Sequence, residues 1–530
     1  MALVILCATI VGALVARLVY PELLPVLDAL TIIFYLIIAV TVIAVLRNFV
    51  GLITYGVFGP AIISIGLNRI GSLVWGLIAV FAVLAVGILM RLALEPLKLQ
   101  MTHRLALVVI AIAFTMGAIT LVGAGIGNAA FSYVDFLPIL ITSWIAERFI
   151  KDRLESGSTM CYKRLTYTMI AVLASYLLIS ERAIVDAFIY APEMWILPVA
   201  INMLVGSSVH LRLTERFRFK RLKEGGNPGG GGFSRILTIN VRNRDFVEKY
   251  NPRETHPNIT KLSVKAALKE ANVPVPETIA TLESFRDLDR LEEILSKTPK
   301  NKGFVVKPNS GFGGRGILVI KGRDNGFVRR SDGRSMDLDG LRRHIVATID
   351  GEFSGRWLPD KAFLEEMVEP SHEMAMLCHS GLPDIRVIVF RGVPVMAMAR
   401  LPTKRSGGKA NLAQGALGAG VDIASGEIRT AVVAHDRKPI TNHPDTGLNL
   451  IGRRIPFWND ILEMSVKAQK AIGIGYAGID IVIDENRGPM VMEGNKRPGL
   501  EIQNANHEPL LKRLRAVERL LGGRKEITVR

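Results

Sequence analysis

Eight long apolar runs fill the sequence before Arg212, and they constrain the fold more than any other feature. They are Ala2–Val19, Leu24–Leu46, Phe49–Leu67, Leu73–Leu92, Leu105–Gly123, Phe131–Phe149, Leu165–Ile179 and Ile184–Leu211. A helix crossing the hydrocarbon of a bilayer needs about 20 mainly apolar residues, and it satisfies its own backbone polar groups there. Residues 1–211 are therefore expected to form an all-α polytopic membrane bundle of seven or eight spans. Ala2–Val19 has no basic n-region and no small-residue cleavage site, which predicts a span rather than a removed signal. Gly56, Gly59 and Pro60 would interrupt the third run, predicting a broken or re-entrant segment.

Lys and Arg in the short loops predict orientation. With the end at Arg212 inside, the inner loops hold Arg47, Arg91, Lys98, Arg104, Arg148, Lys151, Arg153, Lys163 and Arg164, and the outer ones Arg17, Arg69 and Arg182. Nine against three predicts both termini in the cytoplasm of a protein of the plasma or bacterial inner membrane. Charges near the spans, such as Asp135 and Glu147–Arg148, fall at predicted ends; they read as interfacial anchors and helix pairing, with an ion relay as the alternative.

After Gly225 the texture becomes that of a soluble domain. The net charge of +17 comes with no zinc-finger, RNP or basic-zipper pattern, so nucleic acid is not the expected partner. Arg212, Arg216, Arg218, Lys220, Arg221 and Lys223 instead follow the last apolar run, where each cation near an anionic leaflet contributes about 1 kcal/mol. Cys7, Cys161 and Cys378 are too scattered for a disulfide framework or zinc site. The run Gly225–Gly232 reads as a tether of roughly 15 Å. Residues 212–233 are thus expected to link the bundle to an α+β domain over 234–530. There Arg235–Val241 reads as a strand, Lys261–Asn272 as a helix, and Glu508–Leu521 as a helix packed on the domain.

Two strand-like segments, Phe304–Pro308 and Gly316–Ile320, flank Asn309-Ser-Gly-Phe-Gly-Gly-Arg-Gly316. A dinucleotide fingerprint needs a helix after its glycines, and here a strand follows. There is no G-K-[ST], and no H-R-D or D-F-G. What remains is a hairpin whose bare N–H groups can fold over phosphates beside Lys307, or an ordinary glycine turn.

Further on, Ala477–Ile483 and Pro489–Asn495 are apolar strands joined by turn residues. Asp480 and Glu493 lie at similar distances from the turn, and Glu493 and Asn495 share a face because strand side chains alternate. Three oxygen donors without His or Cys suit Mg²⁺ held jointly with phosphates. An ordinary salt bridge is the alternative, with Lys496 or Arg497 as the basic partner. His372, His435 and His443 carry no partner signal and read as surface histidines.

In this order the motifs resemble the ATP-grasp superfamily, in particular its alpha-L-glutamate ligase-like branch. The matching residues are Val305–Gly316, Phe363–Val368, Asp384-Ile-Arg386, Ala397–Thr403, Gly408–Gly415, Gly478-Ile-Asp480 and Met492–Gly499, with Asn251-Pro-Arg253 and Lys261 upstream. The resemblance implies ATP between two α+β lobes, with Lys307, Lys261, Ser310, Gly311, Gly313, Gly314 and Gly316 on its phosphates. Glu365, Glu366, Met367 and Val368 would form the adenine-side hinge. Asp480, Glu493 and Asn495 would hold Mg²⁺, or Mn²⁺ in its place. Arg400 would meet the transferred phosphate or substrate carboxylate, and Lys409, Asn411 and Arg497 would lie on the substrate or phosphate side. The region before the phosphate loop is short for a glutamate ligase.

The first half, through Gly51–Leu67 and Phe136–Phe149, is similar to the seven-helix module that accompanies inactive transglutaminase-like domains. The activity so implied is a membrane-anchored, Mg-dependent carboxylate-amine ligase acting through an acyl phosphate on carboxylate and amine substrates. Its rivals are an ATP-grasp phosphotransferase, a nucleotide-regulated transporter or membrane scaffold with a membrane-protein partner, and a nucleotide-binding pseudoenzyme.

Overall fold

A computed structural model describes residues 11–12, 15, 31–94, 101–125, 136–156, 158–208, 210–220, 222, 233–251, 259–311, 314–324, 327–331, 333–354, 359–433 and 437–522. The chain divides into two compact units, Met1–Phe217 and Arg218–Arg530. The first is helical and the second is an α+β domain of two antiparallel sheets.

In the first unit the helices are α1 (Thr31–Val45), α2 (Phe58–Ile70), α3 (Leu73–Leu94), α4 (Met101–Gly125), α5 (Phe136–Ser156), α6 (Ser158–Ser180), α7 (Arg182–Tyr190), α8 (Ile196–Ser208) and the short α9 (Leu213–Arg218). The run Ala2–Val19 lies almost wholly outside the described residues. Among the described residues Thr31–Val50 and Leu73–Leu94 are long and apolar enough to cross a membrane, or three elements if Met160–Ser180 and Arg182–Tyr190, which meet at 64°, form one span.

The third run is broken as expected, over residues 51–57, which include Gly56 with φ of 78° but neither Gly59 nor Pro60. A π-turn over Leu46–Val50 ends at Gly51, whose φ of 92° needs glycine, and residues 51–57 leave helical geometry. The side chain of Arg47 fills the gap, donating to Thr54 O at 3.1 Å, Gly56 O at 3.0 Å and Thr54 Oγ1 at 2.6 Å. Gly59 and Pro60 sit in the first turn of α2, where the missing proline N–H leaves no intrahelical bond unmade. The last run, expected as one helix over Ile184–Leu211, is instead α7, a 3₁₀ turn at Pro192–Trp195 and α8. Pro192 has no N–H to continue α7 and starts the turn. The buried Asp152 of α5 pairs with Arg164 of α6, so this charge pairs helices.

The second unit has β1 (Thr278–Leu282), β2 (Phe304–Pro308), β3 (Leu318–Asp324), β4 (Phe327–Arg330), β5 (Ser335–Asp337) and β6 (Ala362–Glu366) in one sheet, ordered β1-β6-β2-β3-β4-β5. The other sheet holds β7 (Asp384–Phe390), β8 (Val393–Leu401), β9 (Leu417–Val421), β10 (Ile428–Val433), β11 (Tyr476–Asp484) and β12 (Gly488–Asn495), ordered β10-β9-β8-β7-β11-β12. The first sheet is backed by α11 (Leu338–Ile349), which buries Leu341, Ile345 and Ile349. Odd-numbered residues of β7, Ile385, Val387 and Val389, face a core shared with α10 (Lys261–Glu270) and α12 (Trp458–Ile472). In α12 the buried set Trp458, Ile461, Ser465, Ala468, Gln469 and Ile472 recurs at helical spacing.

The even face of the second sheet is closed at one end by Phe219, Leu222, residues 236–250, α13 (Glu501–Asn506) and α14 (Leu510–Leu521). Leu510, Leu514 and Val517 of α14 are buried there, as their spacing predicts. The strand expected at Arg235–Val241 is absent. Thr238 caps a helical turn at Ile239–Val241 by accepting from Val241 N–H at 3.3 Å, and helical backbone continues to Tyr250. Ile236 and Leu237 are consecutive and both buried, which one half-buried strand cannot arrange. Upstream, Phe219 is fully buried in the same core, and Leu222 packs against it. The run Gly225–Gly232 lies outside the described residues.

Candidate functional site

The glycine hairpin forms as its sequence predicts, β2 pairing with β3 through Phe304↔Ile320, Val305↔Val319 and Val306↔Leu318. Phe312 and Gly313 lie outside the described residues. Gly314 and Gly316 have φ of 76° and 66°, and a Cβ on Gly316 would stand 2.5 Å from the Phe353 ring. Ser310 N–H donates to Asp360 Oδ2 at 2.8 Å, and Gly311 forms an isolated bridge with Ser354. The capping box of Thr260 and Ser263 starts α10, and Leu262 N–H donates to Asn309 Oδ1 at 2.9 Å. That brings Lys261 to the loop, where Nζ donates to Pro308 O at 3.2 Å and to Gly311 O.

Lys307 on β2 and Glu365 on β6 sit diagonally across paired strands. Lys307 Nζ pairs with one oxygen of Glu365 and Lys265 Nζ with the other, all three side chains being nearly buried. Burial holds the Lys261 and Lys265 ammonium groups below the usual lysine range, against the pull of nearby carboxylates. Sequence reasoning missed Lys265, although it lies four residues after Lys261 on one helical face.

On the second sheet, Asp480↔Glu493 and Gly478↔Asn495 are cross-strand pairs. Asp480 is not a bare carboxylate. Arg386 of β7 donates to both its oxygens at 2.7 and 2.6 Å, Arg400 of β8 reaches Oδ2 at 2.8 Å, and Asn495 Nδ2 reaches Oδ2 at 3.1 Å. Burial opposes the Asp480 charge, but the two guanidinium groups outweigh it and hold the carboxyl below its usual range. Arg400 also clamps Asp384, its neighbour across the ladder, with two bonds. Burial pushes Asp384 up to about 6 against the pull of Arg400. Two Asp and two Arg thus form a neutral buried lattice, in which removing one member strands a charge at about 3–5 kcal/mol. The basic partners of Asp480 are these strand arginines, not Lys496 or Arg497.

Glu493 differs. Among the described residues its carboxylate takes no hydrogen bond, and it lies within electrostatic reach of Lys261. Asn495 gives its amide nitrogen to Asp480, leaving Oδ1 as a donor atom for a cation. Glu493 and Asn495 Oδ1 fit a Mg²⁺ that takes its other oxygens from phosphates and water; Asp480 can join them only by releasing a guanidinium.

Beside this edge lies a small apolar cluster of Val368, Val482 and Met490, with Leu382 and Met492 packed on it. Of these the sequence reading had found only Val368; the alternating apolar positions of β11 and β12 were the available signal. Glu366 points away from Lys307, accepting from Glu277 N–H at 2.8 Å and pairing with Arg487. Met367 N–H donates to Gly303 O at 3.2 Å. A seam of hydrogen bonds follows: between backbone groups, Ser371 N–H to Ile483 O at 2.8 Å and Glu485 N–H to Glu369 O at 2.9 Å, and onto a side chain, Glu369 N–H to Asp484 Oδ2 at 3.3 Å.

Lys409 and Arg497 are exposed on loops after β8 and β12. Asn411 caps the turn Leu412–Gln414, its Oδ1 accepting from Ala413 N–H at 3.0 Å. His372 is exposed and His435 lies outside the described residues. His443, expected at the surface, is fully buried; Nδ1 accepts from Asp445 N–H at 3.2 Å and Nε2 lies 3.1 Å from Pro402 O. It pins the β8–β9 loop because a buried ring needs both nitrogens satisfied. Burial raises the Cys378 thiol to about 11, which suits an inert core residue.

Residues 241–519 match the family model of the sugar-transfer associated ATP-grasp. The chain belongs to that family. Its ATP-grasp domain follows a segment, residues 22–223, that matches the model of seven transmembrane helices usually fused to an inactive transglutaminase. The superfamily and the helical module are those the motifs suggest; the branch matched is the sugar-transfer associated one. No curated protein matches the chain. Similar solved structures include the ATP-grasp ligase PsnB complexed with a phosphomimetic variant of its minimal precursor, Mg and ADP, at 16% identity over 50% of this chain and 60% of that one, TM-score 0.27. Others are the D-cycloserine synthetase DcsG, at 15% over 50% and 70%, TM-score 0.29, and the Bacillus anthracis D-alanine–D-alanine ligase complexed with ATP, at 15% over 49% and 64%, TM-score 0.27. The chain spans 60% of the length of the first. Scores this low bear on neither substrate nor chemistry.

Proposed function

We propose that this protein is a membrane-anchored, ATP-dependent ligase of the glutamate ligase-like type, joining a carboxylate to an amine. The observation that supports the reading is that Lys261, held at the glycine hairpin by Pro308 O and Gly311 O and close to Lys307, also lies within electrostatic reach of the open carboxylate of Glu493 on the other sheet. The apolar cluster around Val368 offers a slot for the adenine ring. The glycine loop covers the phosphates with Lys261 and Lys307 as their cations, Lys307 exchanging Glu365 for phosphate. Glu493 and Asn495, with Asp480 if a guanidinium lets go, hold Mg²⁺ or Mn²⁺. Bound there, the metal supplies charge neutralisation for the phosphoryl group in flight.

In the proposed reaction a carboxylate oxygen attacks the γ-phosphorus, the bond to the bridging oxygen breaks, and ADP leaves. An amine then attacks the acyl carbon, phosphate departs with the bonding pair, and the amine proton goes to solvent. The chain's work is positioning and electrostatic stabilisation, so no nucleophilic side chain is needed. Arg400 and Arg497 are the candidates for meeting the acid or the transferred phosphate, with Lys409 and Asn411 on the substrate side.

Hydroxylamine added with Mg-ATP and a pool of acids is expected to give a hydroxamate and ADP in equal amounts. A phosphorylated hydroxyl product with no hydroxamate from any acid would replace the ligase by a phosphotransferase. That second reading draws support from the sugar-transfer association of the matched family, since sugars present hydroxyls.

The bilayer is the first unit's proposed solvent, with both termini cytoplasmic where ATP is available. Reporter fusions after Arg530 should be inactive for an external phosphatase; an active one would reverse the topology.

A further inference from the structure

The loop 496–500 leaves β12 directly after Asn495, and residues from one upstream segment hold it. Arg242 Nη1 donates to Pro498 O at 2.9 Å. Asn251 Nδ2 donates to Lys496 O at 3.1 Å and to Tyr476 O at 2.7 Å, while its Oδ1 accepts from Tyr476 N–H at 2.9 Å. At the far end of the loop Arg218 Nε meets Glu501 Oε1 at 2.9 Å, with Arg437 as a second partner. Pro498 is pressed onto β11 so closely that a Cβ on Gly478 would stand 2.6 Å from it. The segment supplying these groups is itself anchored in the core, where Phe246 and Tyr250 meet Phe390 edge-on at 5.4 and 4.9 Å.

Packing alone would be served by Phe219, Phe246 and Tyr250. The polar groups go elsewhere, onto main-chain carbonyls of the few peptides that follow Glu493 and Asn495. Strand ends fray unless their backbone groups are held, and a metal ligand carried on a fraying end loses its geometry. Partners that orient ligands from outside the coordination sphere typically change metal affinity by about 10–100-fold when removed.

We propose that Arg242 and Asn251 are positioning residues for the ATP site, holding loop 496–500 so that Glu493 and Asn495 stay in place to take Mg²⁺. The proposal rests on the reading of those two residues as metal ligands. It assigns to the segment before the glycine hairpin, short for a glutamate ligase, the task of bracing the far strand.

The test uses detergent-solubilised full-length protein, reading the rise in melting temperature with ADP as Mg²⁺ is titrated. Arg242→Ala and Asn251→Ala are expected to raise the half-saturating Mg²⁺ concentration about 10-fold or more, with Arg242→Lys between wild type and Arg242→Ala. Lys249→Ala removes a pair with Glu518 on the same segment without touching the loop, and is expected to leave the Mg²⁺ midpoint unchanged. Because Asn251 is buried and its loss could unfold the domain, the decision falls on Arg242, which is only half-buried. A wild type that responds to Mg²⁺ together with an Arg242→Ala variant of unchanged midpoint overturns the proposal alone. A wild type indifferent to Mg²⁺ overturns the metal reading and the proposal with it.

Discussion

Lys307→Ala is expected to lower nucleotide turnover on the order of 100-fold or more, the usual effect of removing one preorganised donor to developing charge. The residue lies on β2, a strand buried at every position, so its ammonium is aimed by the sheet and not by a mobile loop. Among the described residues its acidic partner is Glu365, which is shared with Lys265, so a phosphate group can displace it without leaving Glu365 unpaired. Cys378→Ala, a buried thiol of the same domain whose Sγ donates to Ala375 O, should leave turnover close to wild type. Steady-state ADP release from purified full-length protein decides the matter; equal rates for Lys307→Ala and wild type would remove Lys307 from the chemistry.

A soluble fragment beginning at Phe233 is expected to melt about 6–10 °C below one beginning at Leu213. The shorter fragment lacks Phe219, fully buried against the second sheet, and loss of such a side chain costs about 3–5 kcal/mol. It also lacks Arg218, leaving Glu501 with Arg437 alone. Against a domain stability of roughly 5–15 kcal/mol, and about 2 °C per kcal/mol for a domain of this length, the difference is large. Calorimetry on the two fragments measures it, and coincident transitions would show that residues before the glycine-rich run add nothing to the fold.

Strand periodicity was legible where both faces of a strand are decided locally. The β2–β3 and β11–β12 hairpins form where their turn residues put them; Asp480 faces Glu493 because the register shifts by one residue between Ile481 and Asp480, where the turn alone would set Met492 opposite it. Partners supplied by distant strands were not legible. Arg386 and Arg400 lie 94 and 80 residues from Asp480, and no local rule brings them to it. The same limit hides His443, whose partner Pro402 is 41 residues away.

Helices were found by hydropathy but not always their breaks. Ile184–Leu211 is mainly apolar on both sides of Pro192, so hydropathy runs across the break that the stereochemistry of Pro192 makes between α7 and α8. Nor could apolar spacing reveal Phe219, a single aromatic amid the basic run that reads as a membrane-edge segment.

The seam over residues 366–371 and 483–487 has a mechanical consequence. Its bonds run between the end of β6 and the β11–β12 turn, so a rotation of one sheet against the other that kept them would have its axis there. Glu366 lies beside Phe304, at the start of β2, while the glycine loop leaves from Pro308 at the other end. Four residues of strand put that loop about 13 Å from the axis. A swing of about 10° would therefore carry the loop about 2 Å over that lever arm, enough to make or lose a hydrogen bond, while the apolar slot beside the axis hardly moves. Opening of this domain would admit or release phosphates at its mouth with the base end still seated.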